Sequence, residues 1–561
     1  MASEILTPAL VWEDFKIEHS PEPELIAEYK NDGVTVTRFT LRGRSVKGGD
    51  VKIYCALARD ESLEKSPGVF VVQDFADGAD ETFITFLARK GFTALVFDLA
   101  GSVGDRGNRT VYPDSVSYAN YANCKDSLLT VNGSIKDTCW YEWGVAARYA
   151  FDYLASLPFV TGIGGIGTGE AATVLWHLAA TEKRLKCAAF VKNCGWLAYS
   201  GRFKFSGIPD ADFNDETLKF VAGVEPQTYA AHITCPTMLL VPTNCKRFDA
   251  DRACDTLSRI KDGIYCFLDY SVKFRDSVSH NELKNCELFF DKFLCGKSVD
   301  LPSKAEIYGE AENGKLKISV SPDEKELAGV SVYVAEGVVD PALRSWREIK
   351  EFSVTDDGKH VFCYVPYSGS GIVTFFARMR YKNGATIGTP VLCKKFSESE
   401  ASLKYKSNVI YSSRECETEG VFGAATSGVP APIDIDLFPD NVVAVGEGPC
   451  GIKGVRCTGG LLTFAVGAER YRPSEEASIL LDAYVKEDSV LSASVYTDFF
   501  GNRVEYVARL KLRGGNIWHN VKFSRTDFKT AEGRPLKNFD SIQGLKIDAV
   551  GEYLINNVLW V

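Results

Sequence analysis

Histidine is scarce in this chain, with six in 561 residues. Any step that needs an imidazole as base or ligand must draw on His19, His177, His232, His280, His360 or His519. No two cysteines stand in a CxxC pair, and no His/Cys group has zinc-site spacing, so the sequence predicts no metal. No apolar run approaches the roughly 18–20 residues that a membrane helix needs. Positive charge is also in deficit: 64 Lys and Arg against 74 Asp and Glu leave a net charge of −10. That balance gives no reason to expect nucleic acid or an anionic membrane as partner, since both call for clustered basic residues. The opening stretch carries Glu4, Glu13, Asp14 and Glu18 in place of a basic segment followed by an apolar one, so no secretion leader is visible. Internal repeats and low-complexity tracts are missing as well.

What is present describes a folded chain of several domains. A length of 561 residues exceeds one hydrophobic core and suggests about three or four domains. With 45% apolar and 25% charged residues, the chain reads as globular throughout. Many of the 16 cysteines sit inside apolar periodic segments, such as Cys55 in VKIYC, Cys187 in KCAAFV and Cys266 in IYCFL. Buried, reduced thiols in a cytoplasmic protein are the expectation. A disulfide among the later cysteines, Cys450 and Cys457 for example, stays open.

Taken in order, LVWEDF opens a leader, an acidic helix is expected near Pro23 to Asn31, and GVTVTRFTLRG and VKIYCALARD alternate as paired strands. Unbroken apolar runs follow, Val69 to Val72 and Phe92 to Phe97, with a helix from about Asp80 to Lys90 between them. Continuous apolar strands alternating with helices indicate a parallel sheet covered on both faces. Residues 101–139 form a long polar excursion of the kind that often carries function. A helix from about Trp140 to Ser156, a strand into glycines, a helix from Glu170 to Ala180, the strands CAAFVKN, TMLLVPTN and IYCFLDY, and a closing helix complete an α/β domain over residues 1–300. Residues 301–396 alternate in short runs with turns such as Asp357-Gly358, which predicts a small antiparallel, Ig-like sandwich. Residues 397–561 predict a second, jelly-roll sandwich.

The stretch Phe159 to Ala172, FVTGIGGIGTGEAA, carries the clearest chemical signal. A strand running through closely spaced glycines into a helix is the setting of Gly-x-nucleophile-x-Gly, where the backbone bends too sharply for flanking side chains. Gly165-Ile166-Gly167-Thr168-Gly169 fits that spacing, and it puts Gly167, which has nothing to attack with, at the nucleophile position. Thr168 is a substitute only at the cost of the glycine frame, being flanked two residues away by Ile166 and Glu170. Cys194 in KNCGW is another candidate, against the simpler reading of a buried thiol. Gly162, Gly164 and Gly167 also spell G-x-G-x-x-G, but the strand is short and no acidic residue ends a strand about twenty residues on to hold a ribose. No cofactor is expected.

FVVQDFADGADETFITFLARKGFTALVFDLAG, RTVYPDSVSYANY, WYEWGVAARYAFDYLASLPFVTGIGGIGTGEAATVLWHLAA, CPTMLLVPTN and FDADRA together resemble the dienelactone hydrolase and acetyl xylan esterase (cephalosporin deacetylase) branch of the α/β-hydrolases, over residues 10 to 300 or so. The resemblance implies carboxylic-ester hydrolysis, often of acetyl groups on sugars, by a Ser or Cys nucleophile with His and Asp. The chain order of such triads puts the acid after a late strand and the base after the last one. His280 then carries over as the base and Asp249 as the orienting acid, with Asp251 second. The nucleophile does not carry over. On the oxyanion side, Gln73-Asp74 stands where many members have His-Gly, so backbone donors have a carboxylate beside them. His177, on the helix after the glycines, is expected to be packed.

Losing a triad nucleophile costs on the order of a million-fold in turnover. Two functions are therefore expected: a carboxylic-ester hydrolase of the carbohydrate-esterase kind, weak or inactive with Gly167 in place, or a non-catalytic glycan-binding or assembly protein on that scaffold. The partner is a small-molecule or saccharide ester, with a homo-oligomer open. The closing strands resemble galactose-binding-like sandwiches, in which Trp518, His519, Tyr553 and Trp560 are aromatics for a sugar face or for the core.

Overall fold

The computed structural model describes residues 4–103, 107–199, 201–207, 212–272, 280–323, 327–349, 352–355, 360–367, 371–396, 407–414, 421–423 and 443–561, without the side chains of 280–283 and 422–423. The strands of the large sheet are β1 (Pro23–Asn31), β2 (Val34–Val46), β3 (Gly49–Asp60), β4 (Ser66–Val72), β5 (Thr93–Phe97), β6 (Val160–Thr168), β7 (Leu185–Val191), β8 (Thr237–Pro242) and β9 (Cys266–Ser271). They lie in the order β1-β2-β3-β5-β4-β6-β7-β8-β9. β1, β2 and β3 form an antiparallel meander that joins β5 antiparallel, and from β5 to β9 all neighbours run parallel. β5, β8 and most of β4 and β7 are buried on both faces, which is why their sequences are continuous apolar runs and do not alternate.

Helices cover both faces. Cys139–Ser156 and Thr173–Thr181 pack Trp140, Trp143, Phe151 and Trp176 into one layer of core. Glu81–Arg89 and His280–Phe293 pack Ile84, Leu87, Phe289 and Phe290 into the other. Burying a side chain such as Phe151, fully enclosed here, contributes ~1.5–3 kcal/mol. No helix among the described residues is long and apolar enough to cross a membrane.

The segment Pro23–Asn31, expected as a helix, is strand β1. Its Glu and Lys residues suit a helix, but pairing with β2 along its length overrides that preference. Asp32 and Gly33 adopt φ of 50° and 84°, a two-residue hairpin turn of the Asp-Gly kind that holds the two strands in register.

Beyond the large sheet every sheet among the described residues is antiparallel. Two sheets, of four and five strands, are built from residues between Glu306 and Phe396, and two more, of six and five, from residues between Val409 and Trp560. The first pair shares its core with the helical layer of the α/β unit, Ile318, Val334 and Phe375 lying in one apolar cluster with Phe289 and Phe290. The second pair encloses its own core, including Ile479, Leu491, Val521 and Leu545. Tyr553 and Trp560 belong to that core: the Tyr553 hydroxyl donates to the Cys457 carbonyl at 2.9 Å and the Trp560 indole to the Tyr471 carbonyl at 2.7 Å. Neither offers a ring to a sugar. Trp518 is half-buried, its indole donating to the Pro449 carbonyl at 3.1 Å. The described cysteines are free thiols, Cys450 and Cys457 included.

Candidate functional site: a strand-to-helix turn without a side chain

β6 runs up the middle of the large sheet between β4 and β7. Its glycines let helices close in on both sides: a Cβ on Gly165 would stand 2.8 Å from the Leu175 Cδ1, and one on Gly164 would stand 3.0 Å from Phe290 and Leu294. The strand extends through Thr168, and Gly167 is an ordinary strand residue paired with Val72 on one side and Phe190 on the other. A Cβ there would meet the Ala172 Cβ at 2.8 Å.

The sharp turn falls two residues later than the sequence spacing predicts. Gly169 has φ 62° and ψ −159°, a left-handed conformation that favours glycine. Its N–H donates to the Val191 carbonyl at 3.1 Å, and its carbonyl accepts from the Asn193 amide at 2.9 Å and from the Ala172 N–H at 3.2 Å. The spacing at the turn is thus Gly167-Thr168-Gly169-Glu170-Ala171, with Gly169 in the central position. Only Gly165 and Gly169 stand four apart, so the strict glycine spacing centres on Gly167, whereas the frame centred on the observed turn ends in Ala171 in place of a glycine.

The space beside Gly169 is taken. A Cβ built there would lie 2.0 Å from the Asp74 Oδ2 and 2.3 Å from its Cγ. Asp74 comes from the loop after β4, where its Oδ1 accepts from the Phe75 N–H at 2.9 Å and the buried Gln73 Oε1 accepts from the Asp80 N–H at 2.9 Å. Gln73 therefore shapes the loop, and Asp74 fills the space into which a side chain on Gly169 would project. Thr168 is buried, and its hydroxyl has no hydrogen-bond partner among the described residues.

Three guanidinium groups occupy the carboxylates around the turn. Glu170 is paired in a fork with Arg247, at 2.6 and 2.7 Å. Burial holds the Glu170 carboxyl above its usual range; Arg247 opposes that shift and Asp74 adds to it. Asp249, the expected acid, caps the helix Ala250–Leu257, its Oδ1 accepting from the Arg252 N–H at 3.0 Å while its Oδ2 takes the Arg252 Nη1 at 2.9 Å. Burial pushes it up to about 6, against the pull of Arg252. Asp251 is held by Arg344 in a second fork, at 2.7 Å twice. Asp249 makes no hydrogen bond to a histidine among the described residues. His280 is the first residue of the closing helix; its side chain, and residues 273–279 before it, lie outside the described residues.

The remaining candidates are packed. Cys194 is fully buried and its thiol is raised well above the usual range by burial, so it is no nucleophile at neutral pH. His177 lies in the core, its Nε2 2.7 Å from the Val224 carbonyl and its ring stacked on Tyr229 at 4.1 Å. No group of three His, Cys, Asp or Glu that could hold a metal is found among the described residues. The partners that spacing did not reveal are Arg247, Arg252 and Asn193. Only Arg252 left a trace, as the basic residue three positions after a helix-capping Asp249.

The fold is thus a mixed α/β sheet whose central strand ends in a sharp turn near the carboxyl edges of its parallel neighbours, followed by antiparallel sheets. No family model matches the chain, and no curated protein matches it. Among solved structures it is similar to an acetyl xylan esterase from a Paenibacillus species at 12% identity and a TM-score of 0.38, covering 51% of this chain and 92% of that one. It is similar to an acetyl xylan esterase from a Thermoanaerobacterium species at 12% identity and a TM-score of 0.36, covering 50% and 88%. It is also similar to a Pyrococcus horikoshii acylaminoacyl peptidase at 16% identity and a TM-score of 0.35, covering 51% of this chain and 43% of that one. Likeness of that degree leaves the chemistry to be read from the turn itself.

Proposed function

We propose that this chain is a non-catalytic, glycan-binding protein on an α/β-hydrolase scaffold, with Ig-like and jelly-roll sandwiches appended. One observation carries the non-catalytic part of the reading, the glycan being the ligand class that the sequence resemblance implies: the side-chain space of the turn residue Gly169 is filled by the Asp74 carboxylate, 2.0 Å from where a Cβ would stand. An attacking atom cannot be placed there by adding a hydroxymethyl group alone. The neighbouring acids support the same reading, since Glu170, Asp249 and Asp251 are each committed to an arginine, and a carboxylate so neutralised does not polarise an imidazole. The alternative, a working carboxylic-ester hydrolase, would need a nucleophile outside this turn.

The test is turnover of 4-nitrophenyl acetate and of acetylated xylan by the full chain. The expected steady-state rate equals that of buffer alone. A saturable rate exceeding that background by a hundredfold or more, and unchanged in an Asp74→Asn variant, would establish an enzyme and remove the proposal.

A further inference from the structure

Of the two edges of the large sheet, one is covered and the other is bare. β9 is flanked by the strand Thr386–Gly388 of the first antiparallel pair, and its Asp269 is bonded to Arg378 and Thr386. β1, at the opposite edge, pairs with β2 alone among the described residues. All nine of its residues are exposed except Ala27, which is half-buried. Leu25, Ile26 and Tyr29 keep 64%, 51% and 37% of their surface in solvent. An uncovered strand that carries apolar side chains is a template for another strand.

The two halves of β1 differ. Its register against β2 slips between Leu25 and Ala27, a bulge at Ile26 that bends the first half away from a straight edge. Residues 27–31 are regular and end in the Asp32-Gly33 turn, whose two positive φ values make Asn31 and Val34 a hydrogen-bonded pair. Such pairs alternate along an antiparallel ladder, so Asn31, Tyr29 and Ala27 direct their backbone groups to β2, while Lys30 and Glu28 turn theirs outward. The side chains here are already held. Glu81 accepts the Tyr29 hydroxyl, the Arg38 guanidinium lies 5.2 Å from the Tyr29 ring centroid, and Glu28 accepts from the Thr37 hydroxyl at 3.1 Å. Little side-chain freedom is left to lose on association.

The charges name the occupant. When a strand pairs antiparallel with its own copy, a twofold axis passes through the pairing and the outward groups of one copy must meet those of the other. An axis at Glu28 or at Lys30 sets that residue against itself, and like charges directly opposite destabilise the pair. An axis at Tyr29 sets Glu28 of each copy opposite Lys30 of the other, with the two Tyr29 residues facing each other at the centre. Charges on an edge strand usually ward off pairing; here they are spaced to attract a second copy. Lys30 also meets Glu61 at 2.9 Å, but both side chains are more than half exposed, and a surface pair of that kind contributes little. We propose that two copies of this chain associate through residues 27–31 of β1, about a twofold axis at Tyr29, joining their large sheets edge to edge. The dimer does not depend on the functional reading of the turn.

The test is sedimentation equilibrium of the full chain at roughly 1–200 μM, a span that covers moderate and weak association. The samples are wild type, Glu28→Lys, Lys30→Glu and the double variant that exchanges the two. Wild type is expected to reach twice the chain mass within this range. Each single reversal sets like charges opposite each other at two places per dimer and is expected to weaken association about tenfold or more. The exchange restores opposite charges at both places and should recover the wild-type dimer. All four should melt at the same temperature, because both side chains are exposed. A wild type that stays monomeric throughout overturns the proposal. A dimer that neither reversal weakens places the contact elsewhere, and a loss that the exchange does not rescue removes the register; either result overturns it as well.

Discussion

At Gly169 two constraints coincide, a backbone φ of 62° and an Asp74 carboxylate in the side chain's place. A left-handed φ costs a residue with a Cβ ~1–2 kcal/mol, and overpacking adds ~1–3 kcal/mol. Gly169→Ser is accordingly expected to lose ~2–5 kcal/mol in urea unfolding. Asp74→Ala removes the contacts at 2.0 and 2.3 Å and leaves only the Asp74 Cβ at 2.9 Å from the built position; Asp74→Gly removes that one as well. In the Gly169→Ser/Asp74→Gly double variant the cost of the serine should shrink to the backbone term alone. Additive losses in the cycle would show that Asp74 does not fill this space. His177 supplies a second test at the same scale. Burial lowers its pKa from 6.5 to about 3. The unfolded chain therefore takes up a proton below pH 6.5 that the folded chain refuses, and stability falls by ~1.4 kcal/mol per pH unit until pH approaches 3. His177→Gln, which keeps a donor for the Val224 carbonyl, should flatten the loss between pH 6.5 and 5 by ~1–2 kcal/mol. Equal slopes in variant and wild type would refute this account.

Elements were more legible in the sequence than the residues that decide the site. β4, β5 and β8 announce themselves as unbroken apolar runs because both faces are covered. β1 reads as a helix because its composition is helical while its pairing is long-range, and the Asp32-Gly33 turn is the local signal that marks a hairpin. The turn after β6 was visible as a glycine cluster, but its register was not: where a strand ends depends on partners in β4 and β7, which no local spacing encodes. Asp249 illustrates the same limit. An acid after a late strand fits a catalytic role and a helix cap equally well, and only the position of Arg252, bonded to both its oxygens, separates them.

At the scale of the whole molecule the short helix Ala250–Leu257 joins the turn to the antiparallel sheets. Asp249 caps it, Arg247 just before it reaches Glu170, and Asp251 within it meets Arg344 from the segment between two strands of the antiparallel sheets. The Arg344–Asp251 pair is almost fully buried, at 0% and 2% side-chain exposure. Nearby, the Asn244 amide donates to the Arg344 carbonyl at 2.7 Å, and Arg378 holds Asp269 of β9 at 2.8 Å. Buried ion pairs contribute little over an apolar packing, but removing one partner strands a charge and costs ~3–5 kcal/mol. Arg344→Met should therefore destabilise the chain by about that much. It should also split a shared urea transition in two, since the α/β unit and the first sheet pair unfold together only while their interface holds. Adding Asp251→Leu removes the stranded carboxylate and should recover most of the loss without restoring the pair. If Arg344→Met instead costs under ~1 kcal/mol, the pair is screened by water and the first pair of antiparallel sheets is not held to the turn through this helix.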